Sequence, residues 1–120
     1  MVAAHEPLFA YGSLQRADVQ REQIGRQLVG TADALAGFRL GRLAIDDPEV
    51  VRRSGETHYP VLTEDAAASQ RVAGTLYWLT KTELAAADAY EAEDYERRRV
   101  TLESGRTAWA YVAAPGLETE

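Results

Sequence analysis

The chain contains no cysteine, which excludes a disulfide framework, a thiolate zinc site and a cysteine nucleophile. Histidine is nearly as scarce. His5 and His58 stand at no spacing that suits metal ligation, so each reads as an exposed or hydrogen-bonded imidazole and no metal site is expected. A Ser13–His58–aspartate triad can be written by order alone, but nothing supports one. The motifs GxGxxG, GxxxxGK[ST] and GxSxG are absent, which leaves dinucleotide, P-loop and nucleophile-elbow readings without their signature. No apolar run approaches the roughly 18 residues of a spanning helix. The segment MVAAHEPLFAYGS carries Glu6 and Pro7 and lacks a basic stretch leading into an apolar core, so it does not read as a signal peptide, and a cytoplasmic location is expected. Positive charge is the minority: 13 basic against 19 acidic residues give a net charge of −6. That balance disfavours nucleic acid and anionic membranes as partners.

What is present suits one globular domain over residues 1–120. Hydrophobic residues make up 46% and charged residues 27% of the chain, near the globular average. A chain of this size buries roughly 65% of its unfolded surface, enough for a single core. There is no internal repeat and no linker. Residues 7–11 form an apolar run stopped by Gly12-Ser13, a buried strand and a turn. Ala17, Ile24 and Leu28 suggest a weakly amphipathic helix from Asp18, its N-cap, to Val29. Residues 31–45, cut by Gly37 and Gly41, read as two short strands. Residues 46–57 and 64–70 read as surface loops. Between them Tyr59-Pro60-Val61-Leu62 is an extended piece at a sheet edge or a strand start, because Pro60 cannot donate to a ladder. Residues 71–79 alternate with both faces largely apolar, a central strand of a closed or covered sheet. Thr80-Lys81-Thr82-Glu83 fits a capping box opening a helix to about Tyr90. Strands at 95–102 and 107–113 flank the turn Ser104-Gly105-Arg106, and residues 115–120 read as a frayed tail. The sum is an α+β chain: a small mixed β-barrel of six or seven strands with two peripheral helices.

Three segments could carry chemistry. Arg97-Arg98-Arg99 reads as a solvated strand face paired with Glu93, Asp94 and Glu96 rather than as a phosphate site. The turn after the first strand is either an ordinary strand end or a nest of backbone N–H groups aimed at a carboxylate or an oxyanion. On the helix, Leu84, Ala87, Asp88 and Glu91 form one stripe. Glu91 then either points inward, with burial and the helix dipole raising its pKa into the range of a general base, or sits in water on a frayed last turn.

FAYGSL (residues 9–14), YPVL (59–62) and DAYEAEDYERRRV (88–100) followed by a short hairpin resemble the gamma-glutamylcyclotransferase-like family, which includes many small bacterial proteins. The resemblance runs from about Leu8 to Tyr111. It implies a compact β-barrel with flanking helices. It also implies that Tyr11, Gly12, Ser13 and Leu14 form a substrate-cradling loop, that Glu91 is the catalytic carboxylate, and that Tyr95 and Arg97 shape the site. Ala92 stands where the family often has glycine. The implied reaction releases 5-oxoproline and an amine or amino acid from a small γ-glutamyl compound, with no cofactor. The alternatives are a non-catalytic ligand-binding module of the same fold and an interaction protein. The leaving group and the oligomeric state carry no sequence signal, although the loops at 46–57 and 63–70 are placed to border the site.

Overall fold

In the computed structural model, which describes residues 4–91 and 94–117, the chain runs β1 (Glu6–Ala10), a 3-10 turn (Ser13–Gln15), α1 (Ala17–Gln23), β2 (Gly30–Leu35), β3 (Phe38–Ala44), α2 (Pro48–Ser54), β4 (His58–Glu64), β5 (Val72–Leu79), α3 (Lys81–Glu91), β6 (Tyr95–Thr101) and β7 (Thr107–Ala113). The strands form one mixed sheet in the order β2-β5-β1-β7-β4-β3, with β6 also on β7. Its two ends, β2 and β3, are joined by Ala36 and Gly37 alone. Three Cα steps reach at most about 11 Å, whereas six strands laid flat would stand about 24 Å apart end to end. The sheet must therefore curl until its edges approach, and the result is the expected barrel-like α+β fold. Gly37 makes the connection with φ 82°, a backbone conformation that side chains with a Cβ resist.

Strand alternation then separates two apolar layers. Phe9, Leu62, Leu76, Ala108, Ala110 and Val112 point into the curl, together with Leu35, Phe38 and Val100. Leu8, Ala10, Tyr77, Leu79 and Tyr111 point outward, where Leu14, Leu28 and Ala87 cover them. α1 and α3 thus pack on the convex face. The capping box forms as the sequence predicts: the Glu83 N–H donates to Thr80 Oγ1 at 3.1 Å and the Thr80 N–H to Glu83 Oε1 at 2.9 Å. Leu84 and Ala87 are the buried members of the α3 stripe.

Several expectations need correction. Among the described residues there are three α-helices, not two, because residues 46–57 are not an irregular loop. Asp47 accepts the Glu49 N–H at 2.9 Å, Pro48 follows as the first helical residue, and Gly55 closes α2 in the left-handed region. α1 ends at Gln23, and Asp18 is not its N-cap: Arg16 holds that position without a side-chain cap, and Asp18 pairs with the Arg16 guanidinium at 2.6 Å. β4 is interior rather than an edge, although Pro60 precedes the point where the strand meets β7, at Leu62. β5 is a central strand of the curled sheet as expected, between β2 and β1, although its Trp78 is 41% exposed. Among the described residues the arginines take other partners: Arg97 pairs with Asp88, Arg98 with Glu64, and both Arg97 and Arg99 lie over the Trp109 ring at 4.3 and 4.4 Å. Ala92, Glu93 and residues 118–120 of the expected tail lie outside the described residues.

Gln20, 2% exposed, is the one buried polar side chain among the described residues. Its Nε2 donates to the Leu14 carbonyl and its Oε1 accepts the Leu28 N–H, both at 2.8 Å. It therefore fixes the turn after β1 to the segment beyond α1. Gln20→Met keeps the volume and strands both backbone groups, so a loss of about 2–4 kcal/mol is expected, read as a lowered midpoint in urea unfolding at unchanged m-value.

Candidate active site

A strand has two hydrogen-bonding edges. β6 takes one edge of β7 along its whole length, from Tyr95↔Ala113 to Thr101↔Thr107. β1 and β4 must share the other, β1 meeting it at Trp109 and β4 at Val112. Both run parallel to β7, so the end of β1 and the start of β4 diverge and leave a wedge. Tyr11, the residue after β1, bridges it. Its hydroxyl donates to the Tyr111 carbonyl at 2.6 Å and accepts the Leu62 N–H at 3.3 Å. A side chain thus stands in for the missing ladder bond.

The chain then turns. The Gln15 and Arg16 N–H groups close the 3-10 turn on the carbonyls of Gly12 and Ser13, and no backbone bond of this turn uses the N–H of Gly12, Ser13 or Leu14 as donor. A Cβ on Gly12 would meet the Pro60 ring at 3.2 Å, so the turn lies against β4 because this residue is glycine. Tyr11, Gly12, Ser13 and Leu14 all line an open cavity of about 890 Å³. The end of α3 adjoins the turn and contributes Tyr90 and Glu91. Tyr95, Tyr111, Tyr59 and Pro60 come from the strands, and Val50, Arg53 and Ser54 from α2.

Glu91 therefore points inward, as the stripe allows, and does not sit in water on a frayed turn. Burial pushes its carboxyl from 4.5 up to about 7. No hydrogen bond or ion pair to another described residue holds the carboxylate down. The phenols around it stay neutral. Burial raises Tyr11, Tyr95 and Tyr111 well above the usual phenol range, and the nearby Glu91 charge adds to each. Their hydroxyls are tied to the protein. Tyr95 donates to the Pro60 carbonyl at 2.8 Å, Tyr111 to Asp88 Oδ1 at 2.7 Å, and Tyr90 shares a hydrogen bond with Ser13 Oγ at 2.7 Å. Asp88 also holds Arg97 Nε at 2.9 Å, which places Arg97 behind the cavity wall rather than in it. Among the described residues, no three His, Asp or Glu side chains are grouped to hold a metal ion.

All six site residues read from the sequence, Tyr11, Gly12, Ser13, Leu14, Glu91 and Tyr95, thus meet at one cavity. The sequence model described as gamma-glutamyl cyclotransferase, AIG2-like, matches residues 8–120. The chain belongs to this family. Solved structures with the same AIG2-like fold include an Arabidopsis thaliana protein, 25% identical with a TM-score of 0.71 over 98% of this chain and 77% of its own. An uncharacterised Homo sapiens protein is 16% identical, with a TM-score of 0.72 over 98% of this chain and 70% of its own. A protein titled gamma-glutamyl cyclotransferase is 16% identical, with a TM-score of 0.66 over 95% of this chain and 69% of its own. No curated protein matches the chain.

Sequence reasoning missed Tyr90 and Tyr111 as cavity walls; it placed residues 46–57 beside the site, though as a loop and not as α2, and residues 63–70, placed there with them, contribute nothing to the lining. The signal for α2 was legible: Asp47-Pro48-Glu49 ahead of Gly55 is a capped short helix. Tyr111 was legible as well, since it sits two residues from Trp109 on the face of β7 opposite Ala108, Ala110 and Val112.

Proposed function

We propose that this AIG2-like chain is a γ-glutamyl cyclotransferase that releases 5-oxoproline and an amine or amino acid from a small γ-glutamyl compound, with Glu91 as the general acid and base. The observation that carries this reading is a carboxyl inside a cavity, unclaimed by any described protein donor and pushed by burial from 4.5 up to about 7. Such a group is half ionised at neutral pH and can both take and return a proton.

The substrate's α-amine attacks its own γ-carbonyl carbon, and the new C–N bond closes a five-membered ring. Glu91 takes the proton that the attacking nitrogen sheds. The carbonyl oxygen carries the charge of the tetrahedral intermediate. As that charge collapses, the bond to the leaving nitrogen breaks and Glu91 returns the proton to it, so the enzyme ends as it began. Nucleophile and electrophile belong to one molecule, so the protein's main task is to fold the glutamyl chain into an attacking conformer. The turn at Gly12–Leu14 lines the same cavity as Glu91, and its N–H groups are suited to a substrate carboxylate.

The test is mass-spectrometric detection of 5-oxoproline after incubation with γ-glutamyl amino acids, γ-glutamyl amines, ε-(γ-glutamyl)-lysine and glutathione. Product from at least one is expected, and the panel ranks the leaving groups. Binding without product from any of them would replace the enzyme by a ligand-binding module.

A further inference from the structure

Most polar side chains that line the cavity without being exposed are already engaged with the protein. Tyr11 bridges β4 and β7, Ser13 and Tyr90 hold each other, Tyr95 is on the Pro60 carbonyl and Tyr111 on Asp88. His58 Nδ1 lies 2.9 Å from Thr57 Oγ1. Only two remain without a hydrogen bond to another described residue: Glu91 and Tyr59. The Tyr59 hydroxyl is not cut off from the open cavity, so a bound molecule can reach it. Tyr59 sits on β4 opposite Leu43 and one residue before Pro60. Partial burial, with Tyr90, Asp94, Glu91 and Asp47 nearby, pushes its phenol up, so it keeps its proton at neutral pH and can donate.

We infer that Tyr59 contacts the substrate, and that its hydroxyl donates a hydrogen bond to the scissile γ-carbonyl oxygen and to the oxyanion that forms there. The assignment rests on the cyclotransferase reading. The tetrahedral carbon carries two nitrogens, an oxygen and a methylene. Glu91 serves both nitrogens, because the proton moves from one to the other. The oxygen then needs a donor of its own in the cavity that holds Glu91, and Tyr59 is the one half-buried side-chain donor of that lining not engaged elsewhere among the described residues. The N–H groups of Gly12–Leu14 are thereby left for the glutamyl α-carboxylate. The tyrosines divide into two kinds: four that build the site, and one that works in it.

The experiment compares wild type with Tyr59→Phe on the best substrate of the panel. The phenol hydroxyl stabilises charge that exists only in the intermediate, so kcat is expected to fall by about 10–100-fold, with KM within about threefold. The acid limb set by Glu91 stays where it is. An unchanged Tm shows that the deletion touched no structural bond. Unchanged kcat, or a raised KM at constant kcat, overturns the assignment while the cyclotransferase reading stands. If wild type yields no 5-oxoproline, it is that reading that fails. The contact is then tested by titrating 5-oxoproline, and separately a γ-glutamyl amino acid, into protein with 13C-labelled tyrosine rings. A shift of the resonance that Tyr59→Phe removes, with weaker binding in the variant, supports the contact. A resonance unmoved by both probes overturns it.

Discussion

Glu91→Gln is expected to lose 5-oxoproline production by about 10²–10⁴-fold or more, the range over which a positioned proton-transfer group accelerates a reaction. The amide is nearly isosteric, and no described protein group depends on the carboxylate as an acceptor, so the fold and the cavity are retained. What disappears is the ability to accept a proton from the attacking amine. The pH profile gives the independent check. In wild type, kcat/KM rises as pH rises through about 7, because the base works only when ionised and burial holds its pKa there. The residual rate of the variant lacks that limb. A Glu91→Gln enzyme with wild-type turnover, or a wild-type acid limb near the ordinary 4.5, would move the chemistry to another group.

How much of this was legible in the chain depends on whether the signal is local. The capping box Thr80–Glu83, the α3 stripe and the alternation of β7 all survive folding, because each satisfies its own backbone before any tertiary contact forms. The curl of the sheet is not local. It follows from β2 and β3 pairing with β5 and β4 at opposite ends of the order while two residues join them. No periodicity in either strand records that choice of partner. α2 was missed for a different reason. Its residues include no buried one, so no hydrophobic period marks it, and only its caps announce it. The arginine triplet shows the same limit. Alternation placed Arg97 and Arg99 on one face, but the Trp109 ring and the Asp88 carboxylate that meet them come from other elements.

The candidate site divides along the same line. Glu91 and the turn at Tyr11–Leu14 were readable by resemblance, and the inward direction of Glu91 was one of two readings the helix stripe allowed. Its companions were not readable, because their roles are assigned by distant partners. The Tyr11 hydroxyl looks like a substrate group until β4 and β7 are seen to diverge around it. Tyr59 looks like strand filler until the other phenols are seen to be engaged.

Burying that carboxyl should also be measurable as a cost in stability, and the sign follows from its pKa. The folded value of about 7 lies above the ordinary 4.5. Below that ordinary value Glu91 is protonated in both folded and unfolded chains and costs nothing. Between 4.5 and about 7 the unfolded chain ionises the group while the folded protein still holds its proton, so stability is lost progressively. Above about 7 both states are ionised and the loss levels off. A gap of about 2.5 units corresponds to at most about 3 kcal/mol above pH 8. The amide of the variant carries no charge, so Glu91→Gln should match wild type near pH 4 and exceed it at pH 8.5, by up to about 10 °C in Tm for a domain of this size. The remaining ionisable groups are common to both proteins and cancel in the difference. A variant that is stabilised equally at both pH values would show that packing, not charge, distinguishes it, and the raised pKa would lose its support. A gain confined to the higher pH, in a protein that has lost its turnover, is the pattern of a site that gives up stability for a usable base.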